Sequence, residues 1–257
     1  MAIADPPRVN SWAPSRGWRR ALAALGGLAL VWLIGWCAFE LIDLVSRHTF
    51  DVTTTYAGVR SLEVEGGTGD VHIAGGTAGS GVVVVEQVTE GLTTPHRNAV
   101  RGAGGALRLS ASCPIGVTNY CRVSYTVTVP PGVSVTADSG AGDVDAHGLT
   151  TTAPLKLSSG DGDVDAVGVT AGNVTLESGN GDVTATLDQA PTHLDASSGN
   201  GNLNLTVPNA TYAVHASSGN GSVSDPTLRI DPSSPRSITA SSGNGNVTIH
   251  AAGVTTR

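Results

Sequence analysis

The sequence predicts an all-β fold, a parallel β-solenoid (β-helix) of roughly 20-residue coils, preceded by a single transmembrane α-helix. Three observations support this prediction. A Ser-Gly-x-Gly motif, usually followed by Asp or Asn and then Val, recurs from residue 139 to residue 247. Apolar residues alternate with polar ones on both sides of each copy, and a long uncharged segment lies near the N-terminus.

Composition limits the class of protein. The chain has 257 residues and a net charge of −7, and it lacks the Lys/Arg cluster that a nucleic-acid-binding surface needs. All Trp and Phe residues lie at or before residue 50, so the later part must have a narrow interior of Val, Leu, Ile and Ala. The 34 glycines recur at fixed positions, which indicates a repeat protein and not a disordered one.

The segment 21–39 predicts a membrane anchor. Its 19 uncharged residues would span about 28 Å as a helix, close to the hydrocarbon thickness of a bilayer. Four arginines precede the segment, whereas Glu40 and Asp43 follow it. The positive-inside rule therefore places the N-terminus in the cytoplasm and the later residues outside the cell membrane, in a single-pass topology.

A cleaved signal peptide and a lipoprotein are the alternatives to the anchor. The sequence Phe39-Glu40-Leu41 lacks the small residues of a cleavage site, and Trp36 stands where a lipoprotein has a small residue before its cysteine. The predicted organisation is a cytoplasmic tail at 1–20, a transmembrane signal-anchor helix at 21–45, a polar stalk at 46–60 and an extracytoplasmic solenoid at 61–257.

The motif sets the length of the coil. Its copies begin at residues 139, 159, 178, 198, 218 and 242, with an earlier variant at residue 66. Leu155 and Leu157 before one copy, with Val164 and Ala166 after it, illustrate the alternation that is typical of two strands, each with one buried face. An antiparallel sandwich is the alternative, but its hairpins would not keep so regular a spacing.

Three further features qualify this pattern. We expect the motif glycines to occupy turn positions with φ > 0, which other residues tolerate poorly. The last spacing is 24 residues because 225–236, with three prolines, extends one loop, and Asp225 is expected to end the preceding strand early. Residues 74–132 carry longer strand patterns, which predict wider coils or a cap over the open end of the solenoid.

Stacking of the coils would place equivalent turn residues in two ladders. Asn and Asp at these positions commonly bond neighbouring backbone N–H groups, which is the structural interpretation. The functional interpretation is a repetitive binding surface on the same side chains. Its candidate ligand-binding residues are Asn180, Asn200, Asn220, Asn244, Asn202 and Asn246.

A weak calcium site is a further hypothesis for the part of the turns where carboxylates concentrate. Like charges one coil apart repel each other, and a hard cation with oxygen ligands would relieve this repulsion. The candidate metal ligands are Asp143, Asp145, Asp161, Asp163 and Asp165. No other cofactor is predicted, because the seven histidines share no metal-binding spacing.

No catalytic motif is present in the sequence. It contains neither Gly-x-Ser-x-Gly nor His-Glu-x-x-His, and no helix pattern follows the Gly-x-Gly turns as a phosphate-binding loop requires. We therefore predict no catalytic residues. Cys113 and Cys121 lie eight positions apart in a loop-like segment, and outside the membrane they are expected to form a disulfide.

The repeated motif, with Leu-x-Leu before it and Val-x-Ala after it, resembles a bacterial family of cell-envelope proteins called putative adhesins, whose function is unknown. The resemblance covers roughly residues 60–250 and implies a β-solenoid. It supplies no catalytic residues. Some relatives are linked to membrane stress-response systems, which implies a second kind of function.

Three functions follow from these features. The first is a membrane-anchored, non-catalytic binding module that contacts a cell-envelope glycan or a surface protein. The second is the ectodomain of an envelope-stress or regulatory system that acts through a membrane partner protein. The third and weakest is a glycan-acting β-helix enzyme, because the paired carboxylates are already explained as repeat positions.

Overall fold

The computed structural model of the chain describes residues 16–91, 93–113, 121–225 and 227–253. The chain divides into two compact units, one ending at Ser46 and one beginning at Arg47. Most of the predicted cytoplasmic tail, residues 1–15, lies outside the described residues.

The first unit is a helix, α1, that spans Arg16–Val45. Its apolar part, Ala24–Ile42, is 19 residues long with a mean hydropathy of 1.9, which is sufficient to cross a membrane. Membrane anchors and signal peptides both have helices of this kind near the N-terminus. The segment predicted as apolar and helical is thus helical, and its helix begins several residues earlier than the predicted boundary.

The second unit is mostly β-structure. A short 3₁₀ turn at Ala103–Gly105 interrupts the strands. The strands are β1 His48–Tyr56, β2 Ser61–Glu65, β3 Val71–Gly75, β4 Val82–Glu90, β5 His96–Arg101, β6 Ala106–Ser112, β7 Arg122–Val129, β8 Ser134–Ser139, β9 Val144–His147, β10 Leu155–Ser159, β11 Val164–Val169, β12 Asn173–Ser178, β13 Val183–Leu187, β14 His193–Ser198, β15 Leu203–Val207, β16 Thr211–Asn220, β17 Val223–Ser224, β18 Arg229–Ile230, β19 Ser237–Asn244 and β20 Val247–Ala251.

These strands form two ten-stranded sheets. Sheet A has the order β1-β4-β7-β3-β9-β11-β13-β15-β20-β17, and sheet B has the order β18-β16-β19-β14-β12-β10-β8-β2-β6-β5. Each motif turn joins a strand of sheet B to the next strand of sheet A, and we call such a pair of strands a repeat. Equivalent residues of neighbouring repeats pair in parallel, as Leu155 does with Val174 and Val164 with Val183. The predicted parallel pairing is therefore confirmed.

The core lies between the sheets and has the residues that the alternation predicts. Leu155, Leu157, Val164 and Ala166 are all buried, and the equivalent positions of the other central repeats are buried as well. Val214, in β16, is only partly buried, because its repeat lies at the end of the stack. Small and branched side chains fill a thin interior, and Tyr125 and Tyr212 are its largest fully buried side chains.

The repeats do not stack in chain order at the C-terminal end. The repeat β19–β20 comes last in the chain, yet it lies between β14–β15 and β16–β17 in both sheets. The segment 225–236 therefore does more than extend a loop. It contains β18, which pairs with β16 at the outer edge, and Leu228 packs against the core. The segment covers part of the end of the stack while the chain returns inward, and β17 stops at Ser224 as expected.

The N-terminal end has a similar inversion and a cap. The repeat β2–β3 lies between β6–β7 and β8–β9, and antiparallel strands β1, β4 and β5 cover the end of the stack. Residues 74–132 thus contain a cap, which was one of the two predicted alternatives. The polar stalk predicted at 46–60 is wrong over His48–Tyr56, because these residues form β1 and pair with β4 along their whole length.

Candidate functional site

The candidate site is the edge of the β unit where the chain passes from sheet B to sheet A. Each motif turn there lies directly above the equivalent turn of the next repeat, because the strands on both sides are held in register. For example, Gly160 donates its N–H to Ser139 O at 2.9 Å, and Gly179 donates to Ser159 O at 3.0 Å. The turns therefore form a continuous surface across the repeats.

Gly67, in the early variant of the motif, has the predicted positive φ of 63°, but most of the other motif glycines are required for a different reason. Gly160, Gly179 and Gly199 do not have positive φ, so the expectation of left-handed turn positions is wrong for them. A Cβ on Gly160 would instead lie 2.3 Å from Gly140 O, well inside any normal contact distance. A Cβ on Gly162 would lie 2.4 Å from Gly142 O. The glycines permit the close stacking of backbone on backbone.

The first residue of the motif forms a buried ladder that the sequence analysis missed. Ser159 Oγ donates to Gly142 O at 2.8 Å in the neighbouring repeat and accepts from Gly162 N–H at 2.8 Å in its own turn. Ser139 makes the same two bonds with Gly69 and Gly142. Serine begins all six copies from residue 139 onward, and that constancy was the available signal. These hydroxyls satisfy backbone groups that the tight turn would otherwise bury without a partner.

The residue after the second glycine forms a second ladder, which we call the backbone ladder. Asp143 Oδ1 accepts the N–H of Asp163 at 2.9 Å, and Asp163 Oδ1 accepts the N–H of Asp182 at 2.7 Å. Asp182 and Asn202 continue the series, so carboxylates and amides perform the same task. Asp182, Asn202 and Asn246 are thus engaged with the protein's own backbone, which is the structural interpretation of these positions.

The variable residue between the glycines forms an exposed ladder, which we call the amide ladder. Each Nδ2 donates to the Oδ1 of the next residue in the row, always in the same direction. The bonds are Asn220 to Asn244 at 2.6 Å, Asn244 to Asn200 at 2.6 Å, Asn200 to Asn180 at 2.7 Å, and Asn180 to Asp161 at 2.7 Å. All five side chains face solvent. The structure thus brings together Asn180, Asn200, Asn220 and Asn244 on one surface.

The five aspartates predicted as calcium ligands are separated into three groups. Asp143 and Asp163 belong to the backbone ladder, and Asp161 ends the amide ladder. Asp145 and Asp165 instead lie side by side on the outer face of sheet A. Among the residues that the structure describes, no three His, Cys, Asp or Glu side chains are grouped so that they could hold a metal ion.

The pair on sheet A has its own electrostatics. Asp145 Oδ2 lies 2.6 Å from His72 Nδ1. Partial burial raises the pKa of the Asp165 carboxyl, a hydrogen bond with the Thr184 side chain opposes this, and the carboxylates of Asp145 and Asp163 raise that pKa further. Asp165 is therefore a carboxylate whose charged form is disfavoured by its surroundings.

A polar cleft of about 690 Å³ lies at the N-terminal end, between the cap strands β1, β4 and β5. Its wall includes an ion pair between Glu86 Oε2 and Arg97 Nη1, 2.7 Å apart. The fully buried hydroxyl of Tyr125 has no hydrogen-bond partner among the described residues, and burial followed by the nearby Glu86 charge raises the pKa of Tyr125. Glu86 occupies an inward position of β4, and the alternation of VVVVE around it was the signal that could have drawn attention to it.

Cys113 and Cys121 form a disulfide with their Cα atoms 5.7 Å apart. The residues between them, 114–120, lie outside the described residues. The bridge joins the end of β6 to the start of β7 and so closes the connection between the two strands of one repeat. It lies far along the chain from the amide ladder and supplies none of its residues.

Comparison with known proteins identifies the family. The family model Toastrack DUF4097 matches residues 52–254, and the chain belongs to this family. The matched region begins within β1 and ends after β20, so the family corresponds to the β unit and excludes α1. No curated protein is similar enough to this chain to match it.

Several solved structures resemble the chain. A "putative cell adhesion protein" from Clostridium sporogenes has 16% identity and a TM-score of 0.48, with 80% of this chain and 99% of that chain covered. A "putative adhesin" from Bacteroides fragilis has 20% identity and a TM-score of 0.46, covering 79% and 97% of the two chains. Another "putative adhesin", from Parabacteroides merdae, has 10% identity and a TM-score of 0.34, covering 78% and 95%.

Proposed function

We propose that this protein is a membrane-anchored, non-catalytic binding module of the cell envelope. In this proposal α1 is an uncleaved anchor with the N-terminus in the cytoplasm, and the β unit is an extracytoplasmic β-solenoid. Its amide ladder contacts an extended or repetitive ligand, a cell-envelope glycan or a surface protein. The proposal for the anchor is supported by the length and hydropathy of Ala24–Ile42 and by the arginines that precede it.

The observation that carries the proposal is the geometry of the amide ladder. Each internal Asn uses one amide hydrogen and one site on its oxygen to bond its neighbours. A second amide hydrogen and a second acceptor site remain on each side chain, and both are available on the exposed surface. These groups recur about every 4.8 Å, the spacing of paired strands. Such a row offers many equivalent contacts, which suit a repetitive ligand bound through avidity.

The distribution of the carboxylates supports binding over catalysis. Catalytic groups must converge on one reacting atom, usually in a concave site. Asp143 and Asp163 are committed to backbone N–H groups, whereas Asp145 and Asp165 lie on a different surface from Asp161. Hydrolysis of a glycan would need two carboxylates facing one another across a bound sugar. The repeat instead distributes its carboxylates along rows.

The test uses the β unit, residues 47–257, which forms a compact unit of its own. The segment starts at Arg47 so that the whole of β1, which begins at His48, is kept. The protein is incubated with purified cell-envelope fractions and scored both for retention and for soluble products. Retention without products is expected. Steady release of products, lost when Asp143, Asp163 and Asp165 are replaced by Asn, would contradict the proposal in favour of a glycan-acting enzyme.

A regulatory ectodomain is the second candidate function. The observation that favours it is the cap at the N-terminal end, where the exposed strand β1 follows the helix after only two residues and is available to a partner. In the same experiment, absence of retention on every envelope fraction would contradict the binding module. Co-purification of the full chain with a specific membrane protein would then support regulation through that partner.

A further inference from the structure

The four edges of the two sheets differ in how well they are protected. An exposed edge strand offers unpaired N–H and C=O groups to any other strand, so proteins usually keep such strands short or charged. At the C-terminal end, β17 and β18 have two residues each. At the N-terminal end, β5 carries Arg97 and Arg101. These three edges have the usual protection.

The fourth edge, β1, is long and has a single charged side chain, so it is poorly protected. It is nine residues long and pairs with β4 from His48 to Tyr56 without a register shift, so no bulge bends it away. Its sequence HTFDVTTTY contains no Pro, Gly, Lys or Arg, and Asp51 is its single carboxylate. Thr, Val, Phe and Tyr favour strands, and almost the whole strand is exposed. The edge is therefore competent to accept another strand.

We propose that β1 is the dimer interface of this protein, and that it pairs in antiparallel fashion with β1 of a second copy. The symmetric register that pairs all nine residues places Val52 on the two-fold axis. The opposed residues would be His48 with Tyr56, Thr49 with Thr55, Phe50 with Thr54, Asp51 with Thr53, and Val52 with Val52 of the second copy. The two copies of sheet A would then form one continuous sheet.

The chemistry of this register identifies the occupant as a second copy. Asp51 opposes Thr53, so no like charges face each other across the axis. Threonine opposes threonine at 49 and 55, and valine opposes valine at 52, which are favourable cross-strand pairs. The interface is isologous, so one pairing uses both free edges and leaves none for further growth. A strand of this composition is thereby protected from open-ended aggregation.

The inward face of β1 is already held in place within the cap. Phe50, Val52 and Tyr56 lie on the side that continues the inward residues of β4. The Arg97 guanidinium lies 5.8 Å from the centre of the Phe50 ring, and the Arg101 guanidinium lies 5.6 Å from that of Tyr56. These cation–π contacts hold the two rings of β1 against the arginines of β5. The edge backbone is therefore presented in a fixed geometry and needs no reorganisation to pair.

Cysteine cross-linking of the full chain in membranes tests the register. In a Cys37→Ala background, Val52→Cys places two thiols on the axis, and the double variant Thr49→Cys/Thr55→Cys places two cross-strand pairs on the opposite face. Antiparallel pairs alternate between a hydrogen-bonded and a non-hydrogen-bonded geometry. Each of the two variants samples a different one of these geometries. Thr55→Cys alone is the matched control, since its introduced thiol faces the hydroxyl of Thr49 in the second copy. Disulfide-linked dimers are expected for the double variant, for Val52→Cys, or for both, and not for the control.

A charge pair tests the same register without cysteines. Thr49→Lys/Thr55→Lys opposes lysine to lysine twice across the axis and should weaken the dimer about tenfold. Thr49→Glu/Thr55→Lys changes the same exposed positions but opposes opposite charges, and it should restore the dimer. Analytical ultracentrifugation in detergent measures both. Equal behaviour of the two variants, cross-linking of the Thr55→Cys control, or a wild-type chain that stays monomeric would each overturn the proposal.

Discussion

Asn244 Nδ2 donates to Asn200 Oδ1 at 2.6 Å, although 44 residues separate them, whereas Asn220 bonds Asn244 and not Asn200. The amide ladder therefore has an order different from that of the chain. The repeat that ends the chain is inserted between two earlier repeats, and 225–236 provides the return connection. The row Asp161, Asn180, Asn200, Asn244, Asn220 is the surface on which the proposed function depends.

The inserted order predicts which engineered disulfides form. The pair Asn200→Cys/Asn244→Cys should cross-link under mild oxidation, because neighbouring strands lie about 4.8 Å apart. The pair Asn200→Cys/Asn220→Cys should not, because one repeat intervenes and a disulfide cannot span Cα atoms more than about 7 Å apart. Mass spectrometry of peptides from the unreduced protein measures both. Cross-linking of 200 with 220 in preference to 244 would show that the repeats stack in chain order.

The buried serine ladder predicts a selective loss of stability. Ser159→Ala removes a hydroxyl that donates to Gly142 O and accepts from Gly162 N–H, so both backbone groups lose a partner. The free energy of unfolding should fall by about 1–3 kcal/mol. Ser197→Ala is the control, because that serine lies on the outer face of β14 and should change the stability little. Equal losses for the two variants in denaturant titrations would refute the role of the buried ladder.

The stacking of the motif turns predicts that two glycines respond differently to alanine. Gly162→Ala would place a Cβ 2.4 Å from Gly142 O, so the neighbouring turns must separate. The result should be a loss comparable to core overpacking, about 1–3 kcal/mol or more. Gly172→Ala is the control, because a Cβ on Gly172 would have no atom within 4 Å among the described residues and the φ of Gly172 is ordinary. A Gly162→Ala protein with wild-type melting temperature would contradict the close stacking.

The raised pKa of Asp165 predicts that replacing this residue increases the melting temperature, by an amount that depends on pH. Folding favours the protonated form of Asp165. The stability that its protonation contributes is therefore fully present below the ordinary pKa of 3.8 and is lost as pH rises through the folded pKa. At neutral pH the carboxylate therefore destabilises the fold. Asp165→Asn should raise the melting temperature at pH 7, and this increase should shrink as pH falls through the raised folded pKa and be smallest below 3.8.

The control for this pH series is Asp188→Asn, which removes an exposed carboxylate of the same charge. Its melting temperature should differ little from that of the wild type at either pH. The same series measured with and without calcium addresses the metal hypothesis, and we expect calcium to change no melting temperature appreciably. A gain for Asp165→Asn that persists at low pH, or micromolar calcium binding by calorimetry, would contradict this account of the aspartates.

The sequence predicted the local structure of the repeats well and their order poorly. Alternation around each motif identified buried residues such as Leu157 and Val164, because the two-residue period of a strand is visible in the sequence alone. The copies of the motif are nearly identical, so the sequence of one copy does not indicate which other copy lies next to it in the sheets. The longer spacing before Asn244 was the single trace of the insertion, and a longer loop explained it equally well.

The prediction of the stalk failed for a related reason. His48–Tyr56 is polar and carries little apolar alternation, because an edge strand that is exposed on both faces has no buried side to impose the pattern. The ladder arrangement of the site residues was predicted more successfully, whereas their role in ligand binding stays a prediction. Asn180 and Asn200 were placed in a ladder because they occupy the same position in each repeat, but the direction of their hydrogen bonds required the register of the sheets.

The most direct test of the central claim replaces the four asparagines of the amide ladder. Asn180, Asn200, Asn220 and Asn244 are changed together to Ala in the β unit, and retention on envelope fractions is compared with that of the wild type. The matched control changes four residues on the outer face of sheet A, Thr184, Asn204, Thr206 and Thr248, to Ala. The account predicts that the ladder variant remains folded but loses retention, while Asn200→Ala alone and the control retain it. Unchanged retention of the folded ladder variant would contradict the claim that this ladder is the binding surface.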